Sequence, residues 1–203
     1  MWSLSLITAP AAEPLERATE VHQHLRLDSD LSAQEPLLDA LISATRRNCE
    51  TFTSRQLITA TWELWMDSWC EPGIYRDDAL FLPLPPLQSV TSVKYLDTGG
   101  VLQTWPADQY IVDAPAGPAA QRARIVPAYG VSWPTLREQP QAVKVRFVAG
   151  YGAEAGDVPA GLRAGMLLEV AEMYERRELV TLGTISSPNF LSAERLWWPF
   201  RAF

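Results

Sequence analysis

Two different hydrophobic periods divide the chain. Leu15, Ala18, Val21, His22 and Leu25 recur at helical spacing, and so do Leu37, Leu38, Leu41, Ile42, Thr45 and Cys49. Asp28-Ser-Asp30 interrupts the pattern between them, and Pro36 fits the first turn of the second helix. The two stretches predict a helix hairpin after an extended lead-in, Thr8–Pro14. From Leu57 the period becomes alternating: Ile58, Ala60, Trp62, Leu64 and Met66 form one face of a strand, and Thr59, Thr61, Glu63 and Asp67 much of the other. Shorter strands are predicted over 79–82, 90–96, 101–105, 109–112, 123–126 and 142–149, with Thr98-Gly-Gly100 as a hairpin turn.

After Ala149 the helical period returns. Asp157 offers a cap and Pro159 a compatible first turn for a helix over 159–178. At about 100° per residue, Leu162, Met166, Leu167, Val170, Ala171, Met173 and Tyr174 share one arc, while Glu169, Glu172, Glu175 and Arg176 face away. Arg163 and Arg177 interrupt the ends of the apolar arc, where they either snorkel to water or pair with a carboxylate on another element or subunit. The pattern predicts an α+β chain. A helical core, residues 1–56 and 150–203, carries an inserted antiparallel β module, residues 57–149, built as a sandwich or small barrel. The chain ends in an extended tail.

Composition narrows the function. A net charge of −7 is unsuited to a general polyanion binder. Cys49 and Cys70 are too few for a disulfide framework and lack metal-site spacing, so both are expected as free thiols in a reducing compartment. No stretch is apolar for long enough to span a membrane, and Met1–Pro10 lacks the charge and apolar run of a signal peptide. Eight tryptophans are many for this length. Trp2, Trp69, Trp105, Trp133, Trp197 and Trp198 lie in segments that read as exposed, which suggests partner contact.

Motifs for chemistry are weak. Gly150-x-Gly152-x-x-x-Gly156 has the wrong spacing for a dinucleotide loop, and Glu154 and Asp157 would repel phosphate. His22 and His24 point to different sides of a helix, and no Gly-x-Ser-x-Gly elbow is present. The Pro-x-x-Pro spacing in Leu82-Pro-Leu-Pro-Pro-Leu87 reads as an edge leading into the next strand. No catalytic, cofactor or metal site is predicted. The alternatives to a structural protein are a small carboxylate-using hydrolase and a monomeric β-type ligand-binding module with tryptophans as its platform.

The order of several segments resembles the head–tail adaptor (connector) proteins of long-tailed phages and gene transfer agents. They are Leu57-Ile-Thr-Ala-Thr-Trp-Glu-Leu64, Leu82-Pro-Leu-Pro-Pro-Leu-Gln-Ser-Val-Thr-Ser-Val-Lys-Tyr-Leu-Asp97, Arg124-Ile-Val-Pro127, Trp133-Pro134, Arg146-Phe-Val-Ala-Gly-Tyr-Gly152, Val158-Pro159 and Tyr174-Glu-Arg-Arg-Glu178. The likeness runs from Leu15 to Glu178, with Ser192-Ala193 beyond. Family tails tend to close with leucines before a Pro-aromatic-Arg, whereas Trp197 and Trp198 stand before Pro199-Phe-Arg201 here.

The resemblance implies a structural component of a virion or phage-like particle, assembled in the host cytoplasm, and not an enzyme. Such adaptors form a ring, usually of twelve copies, under the portal. The ring extends the DNA channel without sequence-specific contact and receives a downstream stopper or tail component. The implied partners are therefore the portal protein, neighbouring adaptor subunits, that downstream component and DNA, with no membrane. Aromatic crowding in the tail makes Leu191, Arg195, Leu196, Trp197, Trp198, Phe200, Arg201 and Phe203 the expected portal or neighbour contacts, ordered only against a partner; the alternative is a tail that folds back on its own subunit and caps the β module.

Overall fold

The change of period at Leu57 separates two hydrophobic cores in the computed structural model, which describes residues 1–27, 34–69, 79–176 and 190–203. The first core is helical. A π turn, Arg17–Val21, runs into α1 (His22–Leu25), which is followed by α2 (Glu35–Thr53), α3 (Ala160–Glu175) and α4 (Phe190–Trp197). Leu15, Val21, Leu38, Ile42, Cys49, Leu57, Leu162, Met166, Val170 and Trp197 are buried together there. The first helical segment is tied to α2 by Arg17 to Asp39 at 2.7 and 2.6 Å, and the lead-in before it by Arg46 to Glu13 at 2.7 Å.

The second core lies between two antiparallel sheets. Strands β1 (Trp2–Thr8), β2 (Ala60–Met66), β8 (Val143–Ala149), β4 (Leu87–Leu96) and β5 (Leu102–Trp105) form one sheet in that order. Strands β3 (Leu80–Leu82), β7 (Ala123–Pro127) and β6 (Tyr110–Asp113) form the other. Registered pairs Leu64↔Val145 and Val145↔Val93 put alternate residues of three central strands on one face. They bury against Leu80, Leu82, Ala123 and Ile125 of the smaller sheet. Both sheets are open, so of the two expected forms the sandwich is present and the barrel is not.

The glycine turn after β8 joins the cores. Thr59 donates to the Gly152 carbonyl at 2.8 Å, and Tyr151 donates to Leu57 at 2.9 Å. Gly150 has φ +129°, and a Cβ there would lie 2.7 Å from the backbone at Ile58 and Thr59. A side chain is excluded twice over, by conformation and by space. Gln56 reinforces the seam by donating to the Ile58 carbonyl at 3.0 Å and accepting from Trp62 Nε1 at 2.9 Å.

Several expectations need correction. Residues 2–8, grouped with the helical core by sequence, form an edge strand of the larger sheet in register with β2. Asp157 does not cap α3; its carboxylate accepts from the Glu154 N–H at 3.0 Å and closes the preceding short turn. Pro159 stands just before α3, its carbonyl accepting from Leu162 and Arg163. The buried stripe of α3 is Leu162, Gly165, Met166, Glu169 and Val170. It is therefore centred on Met166, with Leu167 only partly buried, and Glu169 lies inside.

Most of the supposedly exposed tryptophans are interior. Trp69 and Trp105 are buried, and Trp133 is half-buried against both, 4.8 Å from Trp69 in a stacked pair and 5.1 Å from Trp105. The Trp69 indole donates to the Pro134 carbonyl at 2.8 Å, meeting the need of a buried N–H. Trp2 and Trp198 remain exposed.

Candidate assembly surface

The carboxyl-terminal segment is held on its own chain, because α3 offers small residues where the tail brings large ones. A Cβ on Gly165 would meet the Trp197 indole nitrogen at 2.3 Å, and one on Gly161 would meet the Phe200 ring at 3.0 Å. These glycines, four apart, lie on one side of α3 and form a trough for the two rings. Trp197 is 1% exposed, and its indole donates to the Leu162 carbonyl at 3.1 Å. Ala193 and Ala202 are buried beside it in sequence. Beyond the helix, the Ala202 N–H donates to the Thr53 carbonyl at 2.8 Å and the Phe203 N–H to Gln121 Oε1 at 3.2 Å. The expectation that 191–203 orders only against a partner is thus corrected for its backbone and for Trp197.

What the segment leaves outward is a smaller aromatic and basic surface. Trp198 is 58% and Phe203 69% exposed, with Leu196 and Arg195 also exposed and Phe200 and Arg201 half-buried. The Arg201 guanidinium lies 5.4 Å from the Trp198 ring centre, 5.7 Å from Phe203 and 5.7 Å from Phe52. Such contacts hold the cation among ring faces. A groove of about 290 Å³ opens alongside, lined by Asn48, Thr51, Phe52, Glu194 and Trp197. The side chain of Leu191 and the whole of Arg177 lie outside the described residues.

Buried polar groups fasten the same region. Arg55 is fully buried after α2, and its Nε donates to the Phe200 carbonyl. Burial pushes the guanidinium pKa down, while the neighbouring Tyr151 hydroxyl opposes the shift. Asn48 donates to Glu169 at 2.8 Å, but burial still raises the Glu169 carboxyl above its usual range. Burial raises the Glu50 carboxyl as well, against a hydrogen bond from the Leu57 N–H at 3.1 Å. Arg163 pairs with Glu20 on the first helical segment.

No group of three or more His, Cys, Asp or Glu side chains is placed to hold a metal ion among the described residues. Cys49 is buried, and burial drives its thiol pKa far upward, away from the thiolate a nucleophile needs. Sequence reasoning found the tail aromatics but missed Arg55, Glu169 and the glycine trough. Gly161 and Gly165, spaced by one helical turn, were the available signal.

No protein-family model matches the sequence, and no curated protein matches it. Solved structures do. A chain from the neck of an empty gene transfer agent particle in C6 symmetry shares 27% identity, with a TM-score of 0.76 over 99% of this chain and 96% of that one. A chain from the virion of a native gene transfer agent particle shares 26% identity, with a TM-score of 0.76 over 98% and 95%. One from the native particle's neck in C12 symmetry shares 25% identity, with a TM-score of 0.67 over 99% and 96%. Over nearly its whole length, this chain is built like a component of a gene transfer agent particle, in agreement with the head–tail adaptor resemblance of its sequence.

Proposed function

We propose that the chain is a structural head–tail adaptor. In this reading, copies form a ring of twelve beneath the portal of a phage-like particle, extend the DNA channel and receive the next connector or tail component. The near-complete match to a chain of the gene transfer agent neck carries the proposal, because it includes both cores and not one common motif. The C12 symmetry of the related neck supports a ring of this size. A closed ring needs two different, complementary surfaces on each copy.

The outward part of the carboxyl-terminal segment is the proposed portal or neighbour contact. Trp198, Phe203 and Leu196 supply the apolar area there, and Arg195 and Arg201 supply charge-assisted donors. Phe200 is half-buried beside them, while Trp197 holds the segment in place from beneath. Co-expression with the portal protein of the same particle tests the reading. A portal–adaptor complex whose measured mass requires a ring of this chain is expected. A chain that stays monomeric and unbound beside assembled portal would overturn it.

A further inference from the structure

We infer that the outer face of the larger sheet is a contact surface for the phosphate backbone of duplex nucleic acid. The inference rests on how this acidic chain spends its lysines. Of 203 residues carrying a net charge of −7, only Lys94 and Lys144 are lysines. They are registered partners on adjacent strands β4 and β8. Arg146 lies two residues along β8, on the same face.

Like charges directly opposite in an antiparallel pair destabilise the sheet. Their side chains start from Cα positions about 4.5–5.5 Å apart. Glu63 compensates only in part. It is 4% exposed and accepts from Lys144 at 2.9 Å and from Arg146 at 2.7 Å. Burial pushes its carboxyl up, but those hydrogen bonds and charges outweigh burial and hold it below its usual range. One carboxylate against three cations leaves the cluster at about +2 by formal charge at neutral pH. No carboxylate among the described residues forms an ion pair with Lys94.

The surroundings favour phosphate over an acidic protein partner. In the same two rows of the sheet, the registered neighbours are Ser3, Ser5, Ser92 and Thr104. Hydroxyls and cations are the side-chain groups that meet phosphate oxygens without reading sequence. A protein partner needs buried apolar anchors. The aromatic side chain in these rows, Trp65, already carries Lys144 Nζ 4.2 Å from its ring centre. If the adaptor reading holds, each copy brings one such patch to the channel wall, and the acidic remainder of the chain keeps the grip weak.

The test uses the intact chain and a 30-base-pair duplex, followed by fluorescence anisotropy from low to physiological salt. Wild type should bind at low salt, equally across unrelated sequences, with an affinity that falls steeply as salt rises. Lys94→Ala should lower the log–log salt slope by about one, and Lys94→Ala with Lys144→Ala by about two. Lys94→Ala should melt at or above the wild-type temperature, since it removes a like-charge neighbour. Unchanged affinity and slope in both variants would overturn the inference, as would wild type binding polyglutamate but not the duplex. Because this binding is read on the free chain, its failure is separate from a failure to form a ring with portal.

Discussion

Replacing Trp197 by Ala removes the ring that fills the trough on α3. A buried aromatic of this size covers about 150–250 Å², which at about 25 cal/mol per Å² corresponds to ~4–6 kcal/mol. Mutational experience with buried Phe and Trp gives ~3–5 kcal/mol once partial collapse is included. The glycines beneath carry no side chain to move into the space, so collapse is limited. The indole hydrogen bond to Leu162 contributes about 0.5–1.5 kcal/mol of the loss. Trp198→Ala is the matched control: with its ring 58% exposed, it should change stability by no more than about 0.5 kcal/mol. Urea melts of dilute, monomeric protein compare the two. Coincident melts for Trp197→Ala and wild type would mean that the segment is not part of the fold, and would restore an unattached tail.

Three further outcomes follow from the helical core. Met166→Ala should cost ~2–5 kcal/mol and Leu167→Ala clearly less, because the buried stripe is centred on Met166; denaturant melts giving the reverse order would refute the register. Glu169→Gln keeps the acceptor for Asn48 while removing a buried charge. A carboxyl whose folded pKa is raised weakens the fold as pH climbs from its unfolded to its folded pKa, so the variant should melt higher at neutral pH. That gain should vanish below the unfolded value near 4.3, and equal melts at both pH values would contradict it. Cys49 should resist thiol reagents in the native protein and react on unfolding, so rapid native labelling of that residue would contradict its burial.

The elements readable from sequence were those with a clean period on one face. Strand β8 shows strict alternation because Val143, Val145 and Phe147 face the core and Lys144 and Arg146 do not. Helix α3 was placed to within a few residues, yet its inner face was misjudged at Glu169. That helix packs against α2 on one side and α4 on another, so its buried arc is wider than the apolar residues alone describe. Strand β1 went unread although Trp2, Leu4 and Leu6 alternate with Ser3 and Ser5. Its alternation marks an edge, where only Leu4 is even half-buried, and Thr8 to Pro14 gave no turn signal toward β2. Trp69, Trp105 and Trp133 come from separate loops and strand ends, and their clustering is a tertiary fact with no local pattern. The tail was legible as aromatic, while its sequence left open whether it docks on a partner or on its own chain. Its docking depends on two glycines about thirty residues earlier whose meaning appears only when Trp197 lies over them.

The adaptor reading is tested most directly by the structure of the particle neck itself, determined by electron microscopy on particles assembled with this chain. Density is expected for a closed ring of this fold directly beneath the portal, with the Trp198–Phe203 surface against the portal or an adjacent copy. A neck that contains no copy of the chain, or holds it away from the portal, would contradict it.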